Sequence, residues 1–378
     1  MSRPVVVTGI GLVSSLGEGV EPHLQALASA SRQPRVDTQR FAPYPVHPMP
    51  PIDWDRQIPK KSDQRQMEPW QRLGVYSAGL ALDSAGLKQD AAAKAGMQMI
   101  VAAGGGERDY AADGQILTGL RSAADPGAYL NERLMSDLRP TLFLAQLSNL
   151  LAGNVAIVHG VTGASRTFMG EEMCGVDALR IAHARIASGQ ADAILVGSSY
   201  NAERCDSLLI FELGGYAWKR PFASVWDRAA EGGGLILGSA AAFLVLEAKQ
   251  HADARGITVQ AELKAVSATR TRREPGAVTH ALGRLWHEAQ VGEGALVLSG
   301  ATGITGPTED ERSALDSVPA GSRIHALGDL LGHPLEAAAP VGAALGAAVI
   351  AACEAAEAVA TSIGHRRGEG LVRLTRPQ

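Results

Sequence analysis

Short apolar runs that end on glycine, each followed by a stretch with helical spacing, recur along this chain. They restrict it to folds in which strands and helices alternate. Val5, Val6 and Val7 lead through Thr8 into Gly9, Ile10 and Gly11; residues 99–103 lead into Gly104, Gly105 and Gly106; residues 193–196 end on Gly197. Runs of this kind read as central strands entering tight turns. Helical periodicity fills residues 20–30, 67–86 and 173–188, and residues 144 onward read as a helix followed by a strand around Val155. The prolines between 41 and 59 remove backbone donors and predict an irregular surface excursion. Residues 107–137 are polar and are expected to form helices and loops that cap the core.

The same grammar returns further on. Residues 241–247 and 295–299 are apolar strand runs, and residues 335–359 read as one alanine-rich helix. The chain is therefore expected to be a single unit over 1–378 with two similar halves, about 1–240 and about 241–378, whose sheets are sandwiched between helices.

Composition sets limits on function. A net charge of −4 over 378 residues leaves no basic surplus for nucleic acid or an anionic membrane surface. Cys174, Cys205 and Cys353 are odd in number and widely spaced, which supports neither a disulfide framework nor a zinc site. A reducing, cytoplasmic setting fits best. The apolar residues 1–13 are interrupted by Thr8, Gly9 and Gly11 and lack a small-residue cleavage site, so they read as a buried strand and not an export signal. No apolar run reaches the length of a membrane span, and no cofactor or metal site is expected.

Several motifs, taken together, resemble β-ketoacyl-ACP synthases of the elongating type over nearly the whole chain. They are the opening Pro4-Val5-Val6-Val7-Thr8-Gly9-Ile10-Gly11-Leu12-Val13-Ser14-Ser15-Leu16-Gly17, the helix with Ala85-Gly86-Leu87 at its end, and Asp227-Arg228-Ala229-Ala230-Glu231-Gly232 leading to Leu244-Val245-Leu246-Glu247 and His251-Ala252-Asp253-Ala254-Arg255-Gly256. The resemblance implies a thiolase-like, five-layered αβαβα fold with two pseudo-repeated halves. It also implies a dimer in which two subunits pair strands across a two-fold axis, here through Ser165, Arg166, Thr167 and Phe168.

Active members of that family carry a cysteine on a strained turn at the start of a buried helix, where the helix dipole and backbone N–H groups favour the thiolate. An ungapped match from Gly163-Ala164-Ser165 to Gly175 and Gly189 places Glu172 there. A carboxylate would give an anhydride in place of a thioester and cannot perform the transfer. Sliding the register to Cys174 breaks both flanking glycine matches, which leaves Cys174 as a small buried helix residue. Glu171 and Glu172 also suit a helix N-terminus simply as an acidic pair.

Such enzymes use two histidines to stabilise the enolate left by malonyl decarboxylation. At the first position this chain has Gly300, within Ser299-Gly300-Ala301-Thr302-Gly303. The second is retained as His333 in Gly332-His333-Pro334-Leu335-Glu336-Ala337, and the lysine that normally precedes it falls on Gly328. The glycine-rich, phenylalanine-bearing loop that gates the acyl pocket has no counterpart in residues 363–370, although the strand after it survives.

No catalytic set is therefore expected to be intact, the degenerate positions being Glu172, Gly300 and His333. The expected role is that of a chain-length-factor-like subunit, which pairs with an active β-ketoacyl-ACP synthase, meets acyl carrier protein through that complex, and shapes the acyl tunnel. Bulky groups within residues 107–140 are candidates for the tunnel's far wall. Such partners resemble those of type II polyketide and aryl-polyene systems. Three alternatives stand beside it: decarboxylation of malonyl-ACP by an altered mechanism, condensation through Cys174, and a scaffold unrelated to acyl chains.

Overall fold

Ten of the eleven strands fall into two sets of five with the same internal order. The computed structural model describes residues 2–29, 34–138 and 140–378. Along the chain the strands are β1 (Val5–Ser14), β2 (Gly17–Glu18), β3 (Gln98–Ala103), β4 (Ser165–Met169), β5 (Ala193–Tyr200) and β6 (Ala240–Ala248). They continue as β7 (Ala261–Thr269), β8 (Leu296–Ser299), β9 (Arg323–Ala326), β10 (Glu357–Ile363) and β11 (Glu369–Thr375). The sheet order is β4-β3-β5-β6-β1-β7-β11-β10-β8-β9, with β2 paired only to β1. Each set of five, taken from its own outer edge, places its third, second, fourth, fifth and first strands in that order.

The pairing directions repeat as well. In the first set β3 runs parallel to β4 and β5, while β6 is antiparallel to β5 and β1. In the second, β8 runs parallel to β9 and β10, while β11 is antiparallel to β10 and β7. A short antiparallel contact, Val6 with Glu262 and Val7 with Ala261, joins the two sets.

Helices complete five layers. Pro69–Ser84 and Leu150–His159 cover the outer face of the first set, Ala277–Ala289 and Thr305–Leu315 lie outside the second, and Glu172–Ala187 and Ala338–Ala351 are packed between them. Burial on both faces explains why all ten residues of β1 are inaccessible and why its sequence shows no polar alternation. The central helices approach closely because their contact residues are small: a Cβ on Gly175 would lie 2.4 Å from the Glu336 carbonyl oxygen. This is the thiolase-like arrangement that the sequence resemblance implies.

Four expectations need correction. Val155 lies in the helix Leu150–His159, which ends on Gly160 with φ 77°, and the strand falls later, at β4. A short apolar run cannot by itself distinguish helix from strand. Residues 335–359 form a 3-10 turn, the helix Ala338–Ala351 and the start of β10, with Cys353 at φ 62° in the break between them. The strand at 240–248 belongs to the first set and lies between β5 and β1, so the repeat turns over after it. The polar segment does form two helices, Tyr110–Leu120 and Pro126–Ser136, but only Ala112 and Ile116 in them are buried, so they cover little core. The helix expected over 20–30 is seen as Glu21–Ala28; Ala30 lies outside the described residues.

Candidate functional site

Glu172 opens the central helix Glu172–Ala187 and is 2% exposed. One of its carboxylate oxygens, Oε1, accepts from three donors: His333 Nε2 at 2.9 Å, His365 Nδ1 at 3.0 Å and the His365 backbone N–H at 3.2 Å. Burial of a carboxylate costs several kcal/mol, and hydrogen bonds to a charged group return about 1.5–3 kcal/mol each. Burial pushes the Glu172 pKa up, but the hydrogen bonds from His333 and His365 outweigh it and hold the carboxyl well below its usual range. Glu172, at the start of the central helix, is thus a fixed anion.

Backbone geometry brings the two histidines there from distant segments. His333 follows Gly332, whose φ of 72° favours glycine, and is tied by His333 N–H to the Ile236 carbonyl (2.8 Å) and by Gly238 N–H to the His333 carbonyl (3.1 Å). His365 lies on the loop between β10 and β11, its side chain 1% exposed and its ring edge-on to Phe211 and Tyr216 at 5.4 and 5.1 Å. Arg273 pins this loop by donating to the Gly364 and Gly368 carbonyls and pairing with Glu369.

Sequence reasoning missed His365. It expected His333 to stand alone and residues 363–370 to supply nothing to the site. The loop lacks the expected phenylalanine, yet it closes onto Glu172 and brings a second imidazole. The available signal was its position between two strands that end at the central helices' N-termini; the histidine itself fits no spacing motif.

The positions of the absent histidine and lysine are closed. Gly300 N–H donates to Thr361 Oγ1 at 2.8 Å, and a Cβ on Gly300 would lie 2.4 Å from the Thr361 carbonyl oxygen. A Cβ on Gly328 would lie 2.7 Å from Val225 Cγ1. The space bounded by Gly300, Gly328, Gly332 and His333 is about 10 Å³, the lower limit for one water. No imidazole or lysine fits without movement of the backbone. Behind Gly300, Glu311 accepts from Ser299 Oγ and Thr361 Oγ1, and burial pushes its pKa up to about 7.

Cys174 lies on the same helix, 6% exposed, with its thiol donating to the Glu171 carbonyl at 2.9 Å. Desolvation, then the nearby carboxyl groups of Glu336, Glu172 and Asp177, push its pKa well above the ordinary thiol value. The opposing contribution, a backbone hydrogen bond from Gly175, is outweighed, so the thiol form is favoured. Glu336 is 4% exposed, accepts from Gly104 N–H at 2.9 Å, and is pushed by burial up to about 7.

Ser165, Arg166, Thr167 and Phe168 lie on β4, an outer edge of the sheet, with Ser165 and Arg166 exposed. Met169 at its end is 76% exposed, and Ile157 on the adjoining helix is 73% exposed. Further exposed apolar groups, Leu117, Leu134, Met135 and Phe143, lie on helices along the chain between β3 and β4. An open strand edge flanked by exposed apolar side chains is a surface soluble proteins normally cover. Beside β4 lies a hollow of about 790 Å³, floored by Glu171 and Glu172 and rimmed by Arg270, Arg366 and Arg367.

The fold and this site define a β-ketoacyl synthase scaffold with an altered centre. Residues 2–252 match the model of the β-ketoacyl synthase N-terminal domain, and the chain belongs to the β-ketoacyl synthase family. It is 27% identical over 277 residues to 3-oxoacyl-[acyl-carrier-protein] synthase 2 of Vibrio cholerae serotype O1, a match covering 69% of this chain and 62% of that one. The chain thus spans less than two thirds of that relative's length. Among solved structures, the ishigamide ketosynthase/chain length factor superposes with a TM-score of 0.79 at 21% identity, covering all of both chains. A type II polyketide acyl-carrier protein in complex with its ketosynthase gives 0.76 at 16% identity, again over both full chains. At these identities the structural likeness speaks for the fold. No helix among the described residues is long and apolar enough to cross a membrane.

Proposed function

We propose that this chain is a non-catalytic, chain-length-factor-like subunit that pairs through β4 with an active β-ketoacyl-ACP synthase and forms part of the acyl tunnel wall. The observation that carries this reading is the clamp on Glu172: at the nucleophile position sits a buried anion held by His333 and His365. A carboxylate so held cannot accept an acyl group as a thioester, and the imidazoles that would stabilise an enolate are occupied. Gly300 and Gly328 leave no volume in which the missing groups could be restored.

The open β4 edge and the apolar groups around it support pairing, because a partner strand would satisfy the edge and bury Met169 and Ile157. The partner would supply the nucleophile, and acyl carrier protein would reach this chain through the complex. The named neighbours suit a type II polyketide or fatty-acid setting, with the aryl-polyene pathways within the same range. Decarboxylation of malonyl-ACP gains no support from the site, since an anionic Glu172 would repel a developing enolate.

Co-expression with an active β-ketoacyl-ACP synthase from the same source tests the reading. The expected result is a stable 1:1 heterodimer on gel filtration with light scattering. A soluble homodimer that ignores the synthase would contradict it.

A further inference from the structure

We propose that Glu171, Glu172 and His365 form a binding site for one divalent transition-metal ion, of the zinc, iron(II) or cobalt class, beside the hollow next to β4. The inference concerns the chain by itself and does not depend on a partner subunit.

Donor atoms from Glu171, Glu172 and His365 all lie within 4.8 Å of one another. Glu172 Oε1 is 3.0 Å from His365 Nδ1 and 2.9 Å from His333 Nε2, and Glu171 Oε2 is 3.8 Å from His365 Nδ1. Ligands at about 2.0–2.2 Å from one tetrahedral ion stand about 3.3 Å apart. The 3.0 and 3.8 Å separations from His365 Nδ1 bracket that value, and solvent from the hollow would complete the coordination. An imidazole with two carboxylates suits the borderline metals better than calcium or magnesium, which take mainly oxygen.

The setting is rigid where a site needs rigidity and open where it needs access. Glu172 starts a sixteen-residue helix, and Arg273 pins the loop bearing His365. Glu171, with a side chain 51% exposed, faces the hollow and offers a path for the ion.

Binding requires His365 to give up the hydrogen bond from Nδ1 to Glu172 Oε1 and present that nitrogen bare to the ion. His365 Nε2 has no hydrogen-bond partner among the described residues. No neighbouring donor therefore opposes the tautomer that carries its proton on Nε2 and frees Nδ1. The same vacancy means that nothing outside the site braces this ring as metal-ligating histidines are usually braced, so moderate affinity is expected. The ligands come from two separate stretches, at 171–172 and 365, which explains why no sequence spacing announced them.

The test uses the full chain with the exposed Cys205 and Cys353 changed to serine, stripped with chelator and titrated with cobalt(II), then with zinc in competition. Visible ligand-field absorption should grow to one cobalt per chain and be displaced by zinc. Glu171→Gln and His365→Gln should each weaken binding at least about tenfold, the scale on which even outer ligand partners act. Absence of saturable absorption, or equal affinity in both variants, would overturn the proposal. Should His365→Gln fail to fold, Glu171→Gln decides alone, because that residue is half exposed and anchors no core contact.

Discussion

Glu172 Oε1 lies 2.9 Å from His333 Nε2 although 161 residues separate the two in sequence, and both side chains are buried. The resemblance expects a nucleophile at the first position and a histidine at the second, and the structure joins the two through this hydrogen bond. On the proposed reading, the residue that replaces the nucleophile is the one that holds this contact.

Removing the acceptor should therefore destabilise the fold. Glu172→Ala leaves two buried imidazoles and a backbone N–H without their partner, a loss of about 3–5 kcal/mol. Glu172→Gln keeps an acceptor and should cost less. Urea denaturation of the two variants at neutral pH checks the order.

The pH dependence of that loss has a definite sign. The Glu172 carboxyl is held below its usual range in the folded chain, so its contribution is present above the unfolded value of about 4.3. It is lost as pH falls further. The stability gap between the native chain and Glu172→Gln should be widest near neutrality and shrink below about pH 4.

Glu336 should behave in the opposite sense. Burial raises its pKa from 4.5 to about 7, so the folded chain binds the proton more tightly than the unfolded one. Its contribution is full below the unfolded value and is lost as pH rises through about 7. Glu336→Gln, which can still accept from Gly104 N–H, should be near neutral at pH 5 and stabilise at pH 8 by up to about 3 kcal/mol. Thermal melts at both pH values test this.

Restoring the nucleophile should not restore condensation. Glu172→Cys supplies a thiol, but Gly300 has no room for the absent histidine, and adding it as Gly300→His should destabilise the chain by about 3 kcal/mol or more through overpacking. Assay of each purified variant with acyl-ACP and malonyl-ACP should yield no β-ketoacyl product. Product formation by Glu172→Cys alone would show that the closed pocket opens.

Surface changes at the β4 edge should separate assembly from folding. Met169→Asp alters a residue 76% exposed, so monomer stability should change by less than about 0.5 kcal/mol. Co-purification with the synthase should fall sharply.

The alternating architecture was legible because buried parallel strands read as apolar runs closed by glycine, as in β1 and β5. It failed where composition hides a break: alanines on both sides of Cys353 masked the end of the helix Ala338–Ala351 and the start of β10. The position of Glu172 was legible through the ungapped match to Gly175, which a close approach to the Glu336 carbonyl requires. The convergence on Glu172 was not, because His365 reaches it only through a strand-to-strand loop whose path depends on Arg273 and the tertiary fold. Nor could sequence tell that Gly300 is closed off by the Thr361 backbone, since that contact joins two strands' ends.

The central claim is that this chain contributes shape and not chemistry. The most direct measurement is product formation by the reconstituted heterodimer carrying either Glu172→Gln in this chain or a nucleophile-to-alanine change in the partner synthase. The account predicts turnover within about twofold of the native complex for the first and none for the second. Turnover abolished by Glu172→Gln in a complex that still assembles, or surviving loss of the partner's nucleophile, would contradict it.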